Sequence, residues 1–272
     1  MKRRDRTRAN GWTLIEMMMS IGIFVMAGGM IYNGLNTATI LYVKNTSINA
    51  AHAQMIKAVE RITRDVHASA SNPQLVDANR ATTSTGPAAG ITIQPVVGGP
   101  FQLTSLSMLS SSGKVTIVTG SSPKPQIGQR VVCPAALVED YITDVAANSS
   151  NPLTQTDLTT ANSIWTAASV GTSLYYPVLI TTKSAYVVSG AELRYYPAST
   201  GSNNDSYVVL ARGVTTRTPF TLVNGSSGTP TNSTIGATLT VNDPTFNQRG
   251  YPATDISVTF QIPYRCRVAT YP

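Results

Sequence analysis

The sequence predicts an α+β protein, with a long N-terminal helix packed on a single β-rich antiparallel head. Three observations carry that expectation. Met17–Val43 is a run of 27 residues without a charge. Beyond Lys44, apolar side chains recur at Ile48, Ala51, Met55, Val59, Ile62 and Val66, at helical steps of three, four and seven. From about residue 74 the texture changes to short β-branched and aromatic runs between Gly, Pro, Ser, Thr and Asn clusters.

The 272 residues suit one medium domain with an appendage. Charged residues make up 12% of the chain, where roughly 25% is usual. Ser and Thr, 26 and 36 in number, take their place. A hydrophobic share of 42% and the lack of any like-charge run beyond residue 10 argue against long disordered tails. The formal charge of +7 belongs to the N-terminus, where Lys2, Arg3, Arg4, Arg6 and Arg8 face only Asp5. The rest of the chain carries 15 basic against 12 acidic residues, and after Ser71 the count is 11 against 9. No nucleic-acid partner is expected from that balance.

Four segments follow: a basic leader at 1–11, an apolar half-helix at 12–43, an amphipathic half-helix at 44–72 and a head at 73–272. A bilayer-spanning helix needs roughly 20 apolar residues, and cations before it hold the leader on the cytoplasmic side. A secretory signal peptide or uncleaved anchor is the plainer reading. The apolar run exceeds an h-region and ends without a small-x-small cleavage site. Glu16 sits at its start, and a charge inside a membrane segment costs ~2.5–3.5 kcal/mol, so it calls for a role.

In the outer half, Glu60 with Arg64 and Arg61 with Asp65 are spaced to support the helix, and Asn72-Pro73 is its stop signal. From Trp12 to Ser71 such a rod would be roughly 90 Å long. Gly22, Gly28, Gly29 and Gly34 permit either bending or close helix packing. His52 falls on the apolar stripe and His67 on the polar face, in packing or solvated roles.

Strands are expected at 91–93, 101–109, 114–119, 174–180, 185–188, 192–196, 207–210, 220–223, 237–241 and 256–262, with Asn224-Gly225 as a hairpin turn. One helical exception is expected after Pro134, where Leu137, Val138, Tyr141, Ile142 and Val145 follow a helical period.

The N-terminus then reaches a family. A basic leader ending in Gly11, followed by Trp12-Thr13-Leu14-Ile15-Glu16 and an apolar helix, resembles the class III signal of type IV prepilins and pseudopilins. The resemblance implies cleavage between Gly11 and Trp12 by a membrane-embedded prepilin peptidase, which methylates the new N-terminus at Trp12. The family usually has Phe at that position. It further implies that Glu16 meets the N-terminal ammonium of a neighbouring subunit, with Thr13, Leu14 and Ile15 in the same assembly segment. The location implied is the bacterial inner membrane, single-pass, with the head periplasmic or, in the filament, extracellular.

Ile62–Val66, Ala191–Tyr196, Val209–Val214 and the run at Phe220 are similar to segments of larger minor pseudopilins (J-type) and W-type minor pilins. The expected function is therefore a structural subunit of a pilin-like filament, a minor pseudopilin of type II secretion. A minor type IV pilin with an adhesion or DNA-uptake role is the alternative. Its expected partners are other pilin-like subunits, the peptidase-methyltransferase and the inner membrane.

An enzyme is not expected. The head has no histidine with which to complete a hydrolase triad. Ser111-x-x-Lys114 and Ser121-x-x-Lys124 match a short pattern that a Ser-rich chain produces by chance, as are the Asn-x-Ser/Thr sites at Asn45, Asn148, Asn204, Asn224 and Asn232. Asp205, in a polar turn, is either a turn residue or an oxygen ligand for calcium; no other cofactor or metal is expected. Cys133 and Cys266, the only cysteines, are expected to form a disulfide outside the cytoplasm, with two buried thiols as the alternative.

Overall fold

A single α-helix, α1 (Leu14–His67), opens the described part of the chain in the computed structural model, which describes residues 12–83, 86–108, 112–120, 124–134, 138–162, 177–202, 204–223, 233–242 and 255–264. The chain divides into two units, Met1–Asn49 and Ala50–Pro272. Within the first, α1 leaves Leu14, Met18, Phe24, Met30 and Tyr32 exposed, Phe24 by 82%. A helix apolar on all sides is poorly solvated by water. This one is long and apolar enough to cross a membrane.

Within the second unit, α1 buries Ala51, Met55, Ala58, Ile62 and Val66. That is the expected stripe, with Ala58 deeper than Val59. His52 stands exposed beside the stripe, not on it as its spacing suggests. The helix also stops at His67, before the Asn72-Pro73 signal. Extended pairing takes over first: Ala70 N donates to Gln94 O at 2.8 Å and Val96 N to Ala68 O at 3.0 Å.

The stripe shares one core with an antiparallel five-stranded sheet ordered β1 (Gln74–Val76), β2 (Gly90–Ile93), β9 (Ser184–Ser189), β10 (Glu192–Tyr196) and β11 (Val208–Arg212). Side chains alternate across a strand. Tyr186 and Val188 of β9 therefore face the helix core, while Ala185 and Val187 join Val76, Ala89 and Tyr196 on the other face. Strands β2 and β9 approach so closely at Gly90 that an added Cβ would strike the backbone of Tyr186 and the side chain of Val187.

A second sheet, β12 (Phe220–Val223), β13 (Ser233–Asn242) and β14 (Asp255–Tyr264), adds Phe220, Ile235, Leu239 and Ile262 to the same core. Its outer face explains part of the Thr-rich composition. Thr238 and Thr259 hydroxyls pair across strands at 3.1 Å, and Thr240 with Ser257 at 2.9 Å. Asn224-Gly225 lies outside the described residues. The flanking strands β12 and β13 are antiparallel partners, with Val223 opposite Thr234.

Between β2 and β9, which are hydrogen-bonded neighbours, the chain makes a closed antiparallel barrel. Its strands are β3 (Val96–Met108), β4 (Gly113–Val118), β5 (Arg130–Cys133), β6 (Val138–Ala147), β7 (Gln155–Thr160) and β8 (Pro177–Thr181), in the order β3-β4-β7-β6-β5-β8. Closure comes from β8 pairing β3, which sets Val96 opposite Thr181. The barrel has its own core of Phe101, Leu103, Val115, Ile117, Val131, Cys133, Ile142, Leu158, Val178 and Ile180. The helix expected after Pro134 is corrected here. Val138–Ala147 is strand β6, with Asp140 and Ile142 inside and Tyr141 outside; Leu137 lies outside the described residues.

The barrel also buries a charge. Asp157 accepts hydrogen bonds from Thr116 Oγ1 at 2.7 Å and Asn148 Nδ2 at 2.8 Å, and pairs with Lys114 Nζ at 2.8 Å. Burial alone would raise its pKa. The hydrogen bonds from Asn148, Lys114 and Thr116 outweigh it and hold the carboxyl below its usual value. A pKa lower in the folded than the unfolded state stabilises the fold at neutral pH, and that contribution fades as pH falls through the folded-state value. Asp157→Asn should lower stability at pH 7 by about 1.5–3 kcal/mol and flatten the acid limb of thermal melts recorded from pH 7 to pH 2. An unchanged acid limb would count against this assignment.

Candidate functional site

The N-terminal segment is held by a reciprocal cap. Thr13 precedes the first helical residue, and the four leading N–H groups of a helix lack internal partners. Glu16 N donates to Thr13 Oγ1 at 3.3 Å, while Thr13 N and Thr13 Oγ1 donate to Glu16 Oε2 at 2.9 and 3.1 Å. This is the capping box, Ser/Thr followed three residues later by Glu/Gln. Its spacing was visible in Thr13-x-x-Glu16 and is a second physical role for a carboxylate whose first-turn position already suits the helix dipole. Trp12, Leu14 and Ile15 are exposed around it, by 69%, 81% and 69%. Gly11 lies outside the described residues.

In the second unit the end of α1 is seated by a polar cluster on the five-stranded sheet. Tyr186 is fully buried, and its hydroxyl donates to Asp65 Oδ2 at 2.5 Å. Burial pushes the Tyr186 pKa up and the Asp65 carboxylate pushes it further, so the phenol stays protonated and donates. Arg61 lies 4.0 Å from Asp65 and stacks over the Tyr195 ring at 3.9 Å, and the two tyrosine rings are 4.8 Å apart. Arg64 turns to Asp65 at 3.3 Å instead of pairing one helical turn back with Glu60.

Of the segments singled out by the second resemblance, Ala191–Tyr196 and Val209–Val214 are thus brought to neighbouring strands of one sheet, while Ile62–Val66 lies in α1 and Phe220 opens β12 of the other sheet. Glu192 on β10 lies opposite Arg212 on β11 and pairs with Arg194 at 3.0 Å and Arg212 at 3.8 Å. The Asp65–Tyr186 contact joins residues 121 positions apart, and nothing local in the sequence announces it.

Other residues of interest are dispersed. Cys133 is buried at the end of β5, and Cys266 lies outside the described residues. Thiol titration of denatured, unreduced protein should find no free thiol if the two are bridged. Two per chain would refute the pair. A bridge over that span would restrict the unfolded chain by ~4–5 kcal/mol in the entropy account.

Asp205 is engaged by this chain itself. Arg80 pairs with it at 2.6 Å, and Thr200 donates through its amide at 2.8 Å and its hydroxyl at 2.6 Å. Burial would raise the Asp205 pKa, but the Thr200 hydrogen bonds and Arg80 outweigh it and lower it. Arg80 in turn sits over the Tyr196 ring at 4.1 Å, closing the outer face of the sheet. Lys114 is committed to Asp157, while Ser111 and Ser121 lie outside the described residues. His67 Nε2 is 3.2 Å from Pro263 O on β14. Among the described residues, no group of three or more His, Cys, Asp or Glu is placed to hold a metal ion.

No protein-family profile, curated protein or solved structure matches the chain.

Proposed function

We propose that this protein is a membrane-anchored structural subunit of a pilin-like filament, cleaved between Gly11 and Trp12 and assembled through α1. Its machine is a type II secretion pseudopilus, in which it is a minor subunit. The observation that carries the reading is the two-part character of α1. Its first part is apolar and exposed on all sides, while Ala51, Met55, Ala58, Ile62 and Val66 of its second part are buried in the core of a β-rich unit. The exposed part is suited to lipid before assembly and to other helices afterwards, because its large apolar side chains stand exposed. The capping box would give Glu16 a use in a plain anchor as well; what the assembly reading adds is a partner for its charge, placed one turn from the proposed new N-terminus.

The processing step supplies the test. Gly11→Val should leave an uncut precursor, heavier than the mature chain by residues 1–11, while the unaltered protein yields a mature form beginning at Trp12. Intact-mass spectrometry of membrane fractions reads both. A mature chain beginning elsewhere would overturn the reading. Recovery at sub-stoichiometric level with a smaller pilin-like subunit would establish the minor role.

A further inference from the structure

Where the exit of α1, the five-stranded sheet and the barrel meet, there is a cavity of about 180 Å³ lined by polar side chains. Asn72 and Gln74 come from the helix exit and β1, Gln94 from the link after β2, Arg130 and Glu139 from the barrel, and Lys183 from the link before β9. Packing between two β-layers ordinarily produces apolar contacts, so a junction lined by amides and charges calls for another account.

The charges are not balanced. Arg130 donates to Glu139 Oε1 at 2.6 Å and lies 4.1 Å over the Tyr141 ring. Gln94, with its amide turned to satisfy its neighbours, donates to Glu139 Oε2 at 3.1 Å and accepts from Arg130 at 3.2 Å. That trio is neutral and braced. Lys183 lines the same cavity with no acid within ion-pair distance among the described residues. Arg130 Nε is buried with no hydrogen-bond partner. The site therefore holds one surplus positive charge and amides that can donate and accept at once.

We infer that this cavity binds a small hydroxycarboxylate, a single sugar-acid ring, with its carboxylate on Lys183 and its hydroxyls on the amides of Gln74 and Gln94. One surplus charge matches one carboxylate, whereas a phosphate would bring nearly two. The volume admits one ring and excludes a nucleotide or a folded peptide segment. Such a ring reaches the site as a free sugar acid or at the end of a polysaccharide. The inference is independent of the filament role.

The test is isothermal titration of the full-length protein in detergent micelles with D-glucuronate, D-glucose and methyl β-D-glucuronide. Glucuronate should bind saturably, and glucose, which differs at the carboxylate, should bind weaker by about tenfold or more. Lys183→Met, at a half-exposed position, should leave the thermal melt unchanged and lose affinity by a similar factor. Binding of the methyl glucuronide as well would support the chain-end source, and binding of the free acid alone the metabolite source. Equal binding of glucose, full affinity in the Lys183→Met variant or no saturable binding of glucuronate would overturn the inference.

Discussion

Glu16→Gln should keep the N-terminal cap intact and still fail to assemble. Gln at the third helical position serves a capping box as well as Glu does, so the hydrogen bonds from Thr13 survive the change. The negative charge does not. If Glu16 meets a neighbouring N-terminal ammonium away from water, losing that charge leaves the ammonium unpaired, at a cost of about 1.5–3 kcal/mol per contact. Incorporation into filaments should fall on the order of ten- to a hundredfold, with membrane insertion and cleavage unchanged. Thr13→Val is the converse variant, since it breaks the cap at about 1 kcal/mol and leaves the carboxylate free to pair. It should assemble close to normally. Quantitative immunoblots of sheared filament fractions would decide, and wild-type incorporation of the Gln variant would remove the assembly role of the charge.

Asp65→Ala should be the most destabilising single change in the seat of the helix. It leaves the buried hydroxyl of Tyr186 without its acceptor and frees Arg61 and Arg64 from their shared anion. Such a loss costs about 2–4 kcal/mol, which lowers the melting temperature on the order of 5–15 °C for a unit of this size. Tyr186→Phe removes the donor while the arginines still neutralise Asp65, and should cost about 1–2 kcal/mol. Combined, the two changes should cost less than their sum, because the second removes the group that the first left unsatisfied. Thermal melts of the three variants in detergent read the cycle, and strict additivity would exclude the coupling.

The parts legible in the sequence are those whose stability is local. A run of 27 uncharged residues announces the first part of α1, and Ala51, Met55 and Ile62 fall where a helical stripe requires them. Glu192–Tyr196 and Phe220–Val223 are strands to the residue, because bulky side chains alternate there between turn residues. Of the barrel, the expected runs 101–109, 114–119 and 174–180 fall on β3, β4 and β8, whereas β6 and β7 were illegible because the interior is partly polar. Strand β7, Gln155–Thr160, turns Thr156 and Thr160 as well as Leu158 into buried positions, so no apolar alternation advertises it. In β6 a buried Asp140, satisfied by the amide and side chain of Asn162, interrupts the two-residue period. What remains, Val138, Tyr141, Ile142 and Val145, imitates a helix. The cap was legible in Thr13 and Glu16, whereas the Asp65–Tyr186 contact arises only from folding.

The barrel's position has a consequence for the order in which the head forms. Ile93 and Ser184 are register partners although 90 residues separate them. Closing that span from an unfolded chain is entropically expensive. Once β3 and β8 have paired, Val96 stands opposite Thr181 and only a few residues remain to be spanned at each end. That shortening is worth about four halvings of loop length, on the order of 2 kcal/mol. A barrel that folds first therefore delivers two strand ends side by side, and the central β2–β9 pairing becomes a nearly local event seated against α1.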